Sequence, residues 1–357
     1  MGKVYLVRGS SKDPDDLVSR QLAALWDRAG FGNLFEKGEL VALKLHVGEP
    51  GNVTHVRPCV AKTLVALISK TGASVFLTDT SVLYKSPRSD AVGHAKVFHE
   101  HGFGLEAMGA PFIPADGLRG DEEIEVEVNG KHYDKVAIAS GILHADSILL
   151  LSHATGHLAG GLGASLKNLG MGCVSRKAKL RQHHGQNPTI DPEACTACGT
   201  CARWCPAEAI GVDEFAVIDQ EKCIGCGECV VSCRFDAVLF DWANRGPELQ
   251  ERIVEHAAGV MKGRGKPFPC ITVAQSMTKD CDCIGKVQEP VVKDLGFLAS
   301  MDPVALDQAL LNLVREETGK SFDSYCYPEH DAEVQTRYAE NLGIGSRIYE
   351  TEIVDLT

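Results

Sequence analysis

Eight cysteines between positions 195 and 233 carry the clearest chemistry in this chain. They fall in two runs, Cys195-x2-Cys198-x2-Cys201-x3-Cys205-Pro206 and Cys223-x2-Cys226-x2-Cys229-x3-Cys233, which match at an offset of 28 residues. Three thiolates separated by two residues each can wrap three corners of one iron–sulfur cube, and a fourth, after a further three, points away to a second cube. The spacing predicts two [4Fe–4S] clusters held by crossed sets. Cys195, Cys198 and Cys201 pair with Cys233 on one, and Cys223, Cys226 and Cys229 with Cys205 on the other. Zinc sites want two separated pairs of ligands, not four cysteines packed into eleven residues twice over. Gly199, Gly225 and Gly227 suit tight loops that aim backbone N–H groups at sulfur.

A second set of reactive side chains lies outside those runs. Lys44 and His46 end a short apolar stretch, with Glu49 and His55 in the loop beyond. His153, His157 and Lys167 stand in the glycine-rich segment 152–170, directly after another apolar stretch. Loops at the carboxyl ends of parallel strands form the ligand crevice of such sheets. A helix starting near Ala164 would present free N–H groups to an anion, with Lys167 adding positive charge. The segment is neither a Walker A loop nor a clean dinucleotide fingerprint, so it points to no nucleotide by itself, and its plainer reading is a tight strand-to-helix turn. His153 and His157, four apart, would share a face if helical, and with His46 they could converge on one metal. The alternative is ordinary hydrogen-bonded histidines, and His183 and His184 are further candidates. Cys281-Asp282-Cys283, with Cys270 upstream, could hold a soft metal, complete a third cluster, act as an exchange pair, or remain reduced and buried. Cys59, Cys173 and Cys326 are expected as core fillers. The crevice candidates are thus Lys44, His46, His153, His157, Lys167, Cys281 and Cys283.

The elements that must position these groups alternate in type. Strands are expected at Lys3–Arg8, Leu40–Leu45, Ser74–Thr78, Ser147–Leu151 and Pro269–Ala274. Helices are expected at Pro14–Ala29, Pro58–Lys70, Ser89–His101, Pro247–Lys262, Asp302–Glu317 and Asp331–Leu342. A hairpin, 122–136, is expected to turn at Asn129-Gly130, and Asp302 with Pro303 reads as a helix start. This order implies an α/β fold with a mostly parallel sheet flanked by helices. Residues 188–242 differ in kind, being dense in Cys, Gly and Pro. They are expected as a small α+β domain inserted into an α/β domain made of 1–187 and 243–357, since neither flank alone completes a sheet.

Composition narrows the partners. The 357 residues carry a net charge of -12, which argues against a broad hold on nucleic acid or anionic lipid. No apolar run approaches a membrane span, and Met1–Arg8 lacks an export segment, so a cytoplasmic protein is expected. Fourteen cysteines in such a chain point to metal ligation rather than to disulfides.

The cysteine-rich segment resembles the dicluster ferredoxin family along its whole length, with Arg234 where proline would often follow the last cysteine. Lys44, the 152–170 segment with Lys167-Asn168-Leu169-Gly170, Cys281-Asp282-Cys283 and Ser300-x-Asp302-Pro303-Val304-Ala305-Leu306-Asp307 together resemble the domain of unknown function 362 family. Many members of that family carry an inserted ferredoxin domain. The resemblance implies that Lys44, the His153–Lys167 loop and the Cys281/Cys283 pair face one common site. The expected function is an iron–sulfur redox protein, passing electrons between a partner protein and a small-molecule ligand or substrate. The alternatives are a non-redox metal-dependent lyase or isomerase with structural clusters, and an assembly factor that donates clusters or electrons.

Overall fold

Seven strands join in one sheet in the computed structural model, which describes residues 2–183, 187–239 and 246–356. They are β1 (Gly2–Val7), β2 (Leu40–Lys44), β3 (Ser74–Thr78), β4 (Ser147–His153), β5 (Cys270–Ala274), β6 (Gly296–Ser300) and β7 (Tyr349–Ile353). Their spatial order is β7-β1-β6-β5-β4-β2-β3. All neighbours are parallel except at β6, which runs antiparallel to both β1 and β5. The sheet is therefore mostly parallel, and it draws strands from both sides of the cysteine-rich segment. His184 and the expected boundary at 242/243 lie outside the described residues.

Strand residues alternate between two cores, because successive side chains point to opposite faces. Ile148 and Leu150 of β4 enter one core, and Leu149 and Leu151 the other. The first core is covered by the helices Ser165–Gly170, Pro247–Arg264 and Pro303–Thr318, through Leu166, Val254, Ala257, Leu310 and Val314. The second is covered by Asp15–Ala29 and Pro58–Ser69, through Leu22, Leu25, Leu64 and Ile68. Truncating one such leucine to alanine costs about 2–5 kcal/mol. Asp302 does start its helix, its carboxylate accepting from the N–H groups of Val304 and Ala305. No helix among the described residues is long and apolar enough to cross a membrane.

Four local expectations are corrected. The helix expected over 89–101 is broken: Ala91–Phe98 is α-helical, and a wider turn, His99–Phe103, absorbs Gly102 at φ 87°. The hairpin pairs Glu123–Glu127 with Lys135–Ala139, so its tip lies past Asn129-Gly130. Gly130 N–H bonds the Tyr133 carbonyl, and the loop closes on Glu255, whose carboxylate accepts from the N–H groups of His132 and Tyr133. Tertiary capping overrides the turn preference of the dipeptide. The glycine-rich segment is no helix at its histidines; Thr155–His157 and Gly161–Gly163 form a short antiparallel hairpin. Finally, β6 and β7 were not anticipated. Residues 296–300 are buried on both faces and show no alternation, while β7 is a glutamate-bearing edge strand.

The cysteine-rich segment packs as two related halves. Thr200–Arg203 and Glu228–Ser232 are short helices entered through Gly199 and Gly227, both in the left-handed region. Ile210–Val212 pairs with Ala216–Ile218, and Thr189–Ile190 with Val238–Leu239. Leu83 and Leu180 from the α/β part pack with Cys201, Ala216, Ile218, Cys229, Val230 and Val238.

Candidate functional site

The carboxyl ends of β2, β3, β4 and β5 open into a crevice. Lys44, His46, His153, His157, Lys167, Cys281 and Cys283 all line it. His55 stands apart, its ring stacked on His101 at 4.7 Å, and Cys270 is fully buried in the strand β5.

At the end of β2, Lys44 is fully buried and fully paired. Its ammonium lies 2.9 Å from Asp79 Oδ1 and donates to Asn168 Oδ1 at 2.7 Å. Asn168 in turn donates to the Leu151 carbonyl and to Ser152 Oγ, both at 3.0 Å. Lys44 and Asn168 thus pin the Ser165–Gly170 helix to β2 and β4. Gly170 permits the other side of that helix to close on Pro247–Arg264, since a Cβ there would sit 1.9 Å from the Ile253 carbonyl oxygen.

Asp79, just beyond β3, is the hub of the charged wall. Burial alone would raise its carboxyl pKa, but the Lys44 charge and the His46 contact hold it well below the usual range. His46 Nδ1 lies 3.1 Å from both Asp79 Oδ2 and Arg88 Nη1, and its Nε2 has no hydrogen-bond partner among the described residues. Desolvation and the Arg88 charge keep this histidine's pKa low. Arg88, with no exposed surface, is clamped by Glu49 through Nε at 2.9 Å and Nη2 at 2.5 Å.

The opposite wall is built on His153 and the 281–283 loop. His153 Nδ1 faces Asp282 Oδ2 at 2.7 Å, and its Nε2 faces the Gln275 carbonyl at 2.8 Å. Both nitrogens meet acceptors, so both carry protons. Burial opposes this charge, but Asp282 outweighs it and the pKa is raised. A histidine used this way has no lone pair left for a metal, so His153 behaves as the hydrogen-bonded histidine that the sequence offered as the alternative. Tyr84 donates to the Cys283 carbonyl at 3.1 Å, and Glu49 N–H to the Asp282 carbonyl at 2.8 Å, holding the loop in place.

Cys281 and Cys283 are joined in a disulfide on this wall. Cys281 is buried and Cys283 is partly exposed. A ring nitrogen of His157 and the two sulfurs all lie within 4.8 Å of one another, so the three residues could hold a metal ion once the sulfurs are free. His157 Nδ1 already accepts N–H bonds from Gly160 at 2.8 Å and Ala159 at 3.3 Å. Burial and the nearby Lys167 charge push its pKa well down. Lys167 itself is lowered to about 8, chiefly by burial, and makes no ion pair among the described residues.

The anion site expected at the Ser165 helix is a protein contact instead. Its N–H groups, Ser165 and Leu166, donate to the Asp307 carboxylate at 2.9 and 2.8 Å. Sequence reading also missed Asp79, Arg88, Tyr84 and Lys179. Asp79 was findable, because it directly follows the end of β3, as Lys44 closes β2. Arg88 and Tyr84 sit in an irregular loop with no periodic signal. Lys179 spends its protons on Thr80 Oγ1 and on the carbonyls of Ser81 and Val174.

The cysteine-rich segment offers a second kind of site. One pocket is lined by Cys195, Cys198, Cys201 and Cys233, and another by Cys205, Cys223, Cys226 and Cys229. Backbone N–H groups of Ala216 and Ala209 point at the sulfurs of Cys195 and Cys205, each at 3.3 Å. Leu83, which packs into this segment, also lines the crevice.

Fold and site define an α/β protein with a charged crevice at its strand ends and a cysteine-rich segment packed beside it. The chain belongs to the family described as Domain of unknown function (DUF362), whose model matches residues 41–312. No curated protein matches it. Among solved structures, it is similar to the lactate racemase apoprotein from Thermoanaerobacterium thermosaccharolyticum, with a TM-score of 0.41 and 13% identity over 76% of this chain and 50% of that one. The chain therefore spans about half the length of that structure.

Proposed function

We propose that this chain is an iron–sulfur redox protein, in which residues 188–242 form an inserted dicluster ferredoxin domain serving the crevice of the α/β domain built from 1–187 and 243–357. The observation that carries the reading is the grouping of the eight cysteines. Each cavity gathers three cysteines from one run and the fourth from the other, the crossed arrangement that two cubes require. The donor set is all thiolate, and N–H groups already face two of the sulfurs, so the residues fit [4Fe–4S] clusters. Bound there, such clusters would supply one-electron transfer at low potential.

The protein residues do the rest. The eight thiolates hold the metal, and the left-handed Gly199 and Gly227 open the loops around it. The Arg176–Gln182 helix joins the two parts: Leu180 packs among the cysteines, while Lys179 lines the crevice. Lys177 donates to Glu228 at 2.9 Å across the same junction. Electrons would enter from a partner protein and leave through a ligand in the crevice.

Iron and acid-labile sulfide counting on anaerobically purified protein tests the reading. About eight of each per chain, with paramagnetic signals on reduction, is the expected result. Zinc, or bare thiols, in the same preparation would overturn it.

A second reading, a metal-dependent enzyme with structural clusters, is favoured by the grouping of His157, Cys281 and Cys283. It requires a stoichiometric non-iron metal that is lost in His157→Ala.

A further inference from the structure

We propose that the Cys281–Cys283 disulfide is a working redox centre, opened to a dithiol by two electrons and closed again by reducing an anionic disulfide bound in the crevice. Its electron supply rests on the iron–sulfur reading above, but the centre itself rests on separate observations.

The disulfide lies at the crevice, not in a core. The other cysteines outside the two runs are placed differently: Cys173, Cys270 and Cys326 are buried free thiols, and Cys59 is a free thiol outside the crevice. Cys283 is partly exposed and can attack; Cys281 is buried behind it and can resolve. The loop between them is immobilised from four directions, by His153 on Asp282, Glu49 N–H on the Asp282 carbonyl, Tyr84 on the Cys283 carbonyl and Ile284 N–H on the Cys281 carbonyl. A fixed loop keeps the two sulfurs close in the dithiol state, so that the disulfide can re-form.

The immediate surroundings suit the step. His157 accepts N–H bonds at Nδ1, so its neutral ring keeps a proton on Nε2, and one of its ring nitrogens lies within 4.8 Å of both sulfurs. The Lys167 ammonium lines the same crevice without an ion pair among the described residues, which favours a negatively charged substrate. Asp282 is paired to His153, so its charge is compensated before any substrate enters.

The balance is closed. The Cys281–Cys283 S–S bond takes up two electrons and two protons and yields two thiols; clusters held by the eight cysteines of the two runs would supply the pair one electron at a time. The Cys283 thiolate then attacks a substrate disulfide, forming a mixed disulfide and releasing one thiol. Cys281 attacks that mixed disulfide, releasing the second thiol and restoring the internal bond.

Three measurements on the full-length, anaerobically prepared protein test this. First, the chain is equilibrated in dithiothreitol redox buffers, trapped with N-ethylmaleimide, and the peptide holding both cysteines is weighed. The proposal expects two labels to appear together in one two-electron transition; labels present at every potential, or at none, would overturn it. Second, Cys281→Ser is reduced and mixed with glutathione disulfide, and with cystamine as the cationic control. A glutathione adduct on Cys283, formed at least several-fold faster than the cystamine adduct and slowed in Lys167→Gln, supports the assignment; no adduct, or equal rates, overturns it. Third, photoreduced viologen is supplied to wild type and to Cys198→Ser/Cys226→Ser. Faster opening in wild type supports iron–sulfur supply. Equal opening, with the first two results intact, removes that supply and leaves the disulfide centre standing.

Discussion

Asp307 caps the helix that begins at Ser165, although 142 residues separate them. Its two carboxylate oxygens accept the N–H groups of Ser165 and Leu166, and so a side chain on the Pro303–Thr318 helix fixes where the glycine-rich segment ends and Lys167 begins. The N-terminal N–H groups that sequence reading offered to a ligand are consumed inside the fold.

Asp307 sets a pH dependence of stability. Burial, the dominant influence, raises its pKa to about 7 despite the N–H bonds. Unfolded, it titrates near about 4. Between those values the native state binds the proton more tightly, so stability falls as pH rises from about 4 to about 7. Thermal melts of Asp307→Asn should lack this component of the slope, leaving a smaller fall than wild type over that interval.

Asp282→Asn strands a buried imidazolium at His153, and breaking such a pair costs about 3–5 kcal/mol. The sign with pH is set by both partners. Asp282, whose pKa is lowered, contributes above its unfolded value near about 4; His153, whose pKa is raised, contributes fully below its unfolded value near about 6.5 and ceases to as pH rises through its folded one. Urea titrations should show the largest wild-type-to-variant gap near pH 5.5 and a smaller one at pH 9.

Lys167 should be unusually reactive for a lysine. With its pKa lowered to about 8, it is half neutral near that pH, where exposed lysines remain charged. Pulse acylation across pH 6–10, read by peptide mass spectrometry, should place its labelling midpoint about two units below the range of ordinary exposed lysines, near about 10.4. A midpoint shared with them would contradict the burial argument.

On the proposed two-cluster reading, Cys205→Ala should cost the site lined by Cys223, Cys226 and Cys229 its metal, not the one nearer in sequence. Iron content should fall by about half, and Cys233→Ala should give the complementary loss. Cysteine protection from alkylation then tells which cavity kept its metal.

Part of the architecture was legible because it repeats at short range. Short apolar runs and period-3.6 patterns locate β2, β3, β4 and the helices at Asp15, Pro58, Pro247 and Pro303 to within a residue or two. The doubled cysteine run needs no structure to be noticed. What escaped was set by contacts distant in sequence. Asn129-Gly130 has the residues of a tight turn, yet Glu255 draws the loop past it. β6 carries no alternation, because both its faces are buried.

The chain's local order alone determined the kinds of groups present: two cysteine runs, basic and imidazole residues at strand ends, and a Cys-Asp-Cys triplet. Spacing along the chain is a property of neighbours, and ligand sets and strands depend mainly on neighbours. Only the tertiary structure decided which of those groups were already spent. Lys44 is neutralised by Asp79, His153 by Asp282 and the Ser165 helix by Asp307, while Lys167 and the Cys281–Cys283 disulfide face the open crevice. Burial makes an unpaired charge costly, so each buried ion recruits a partner from wherever the fold supplies one, and no local pattern records where that is.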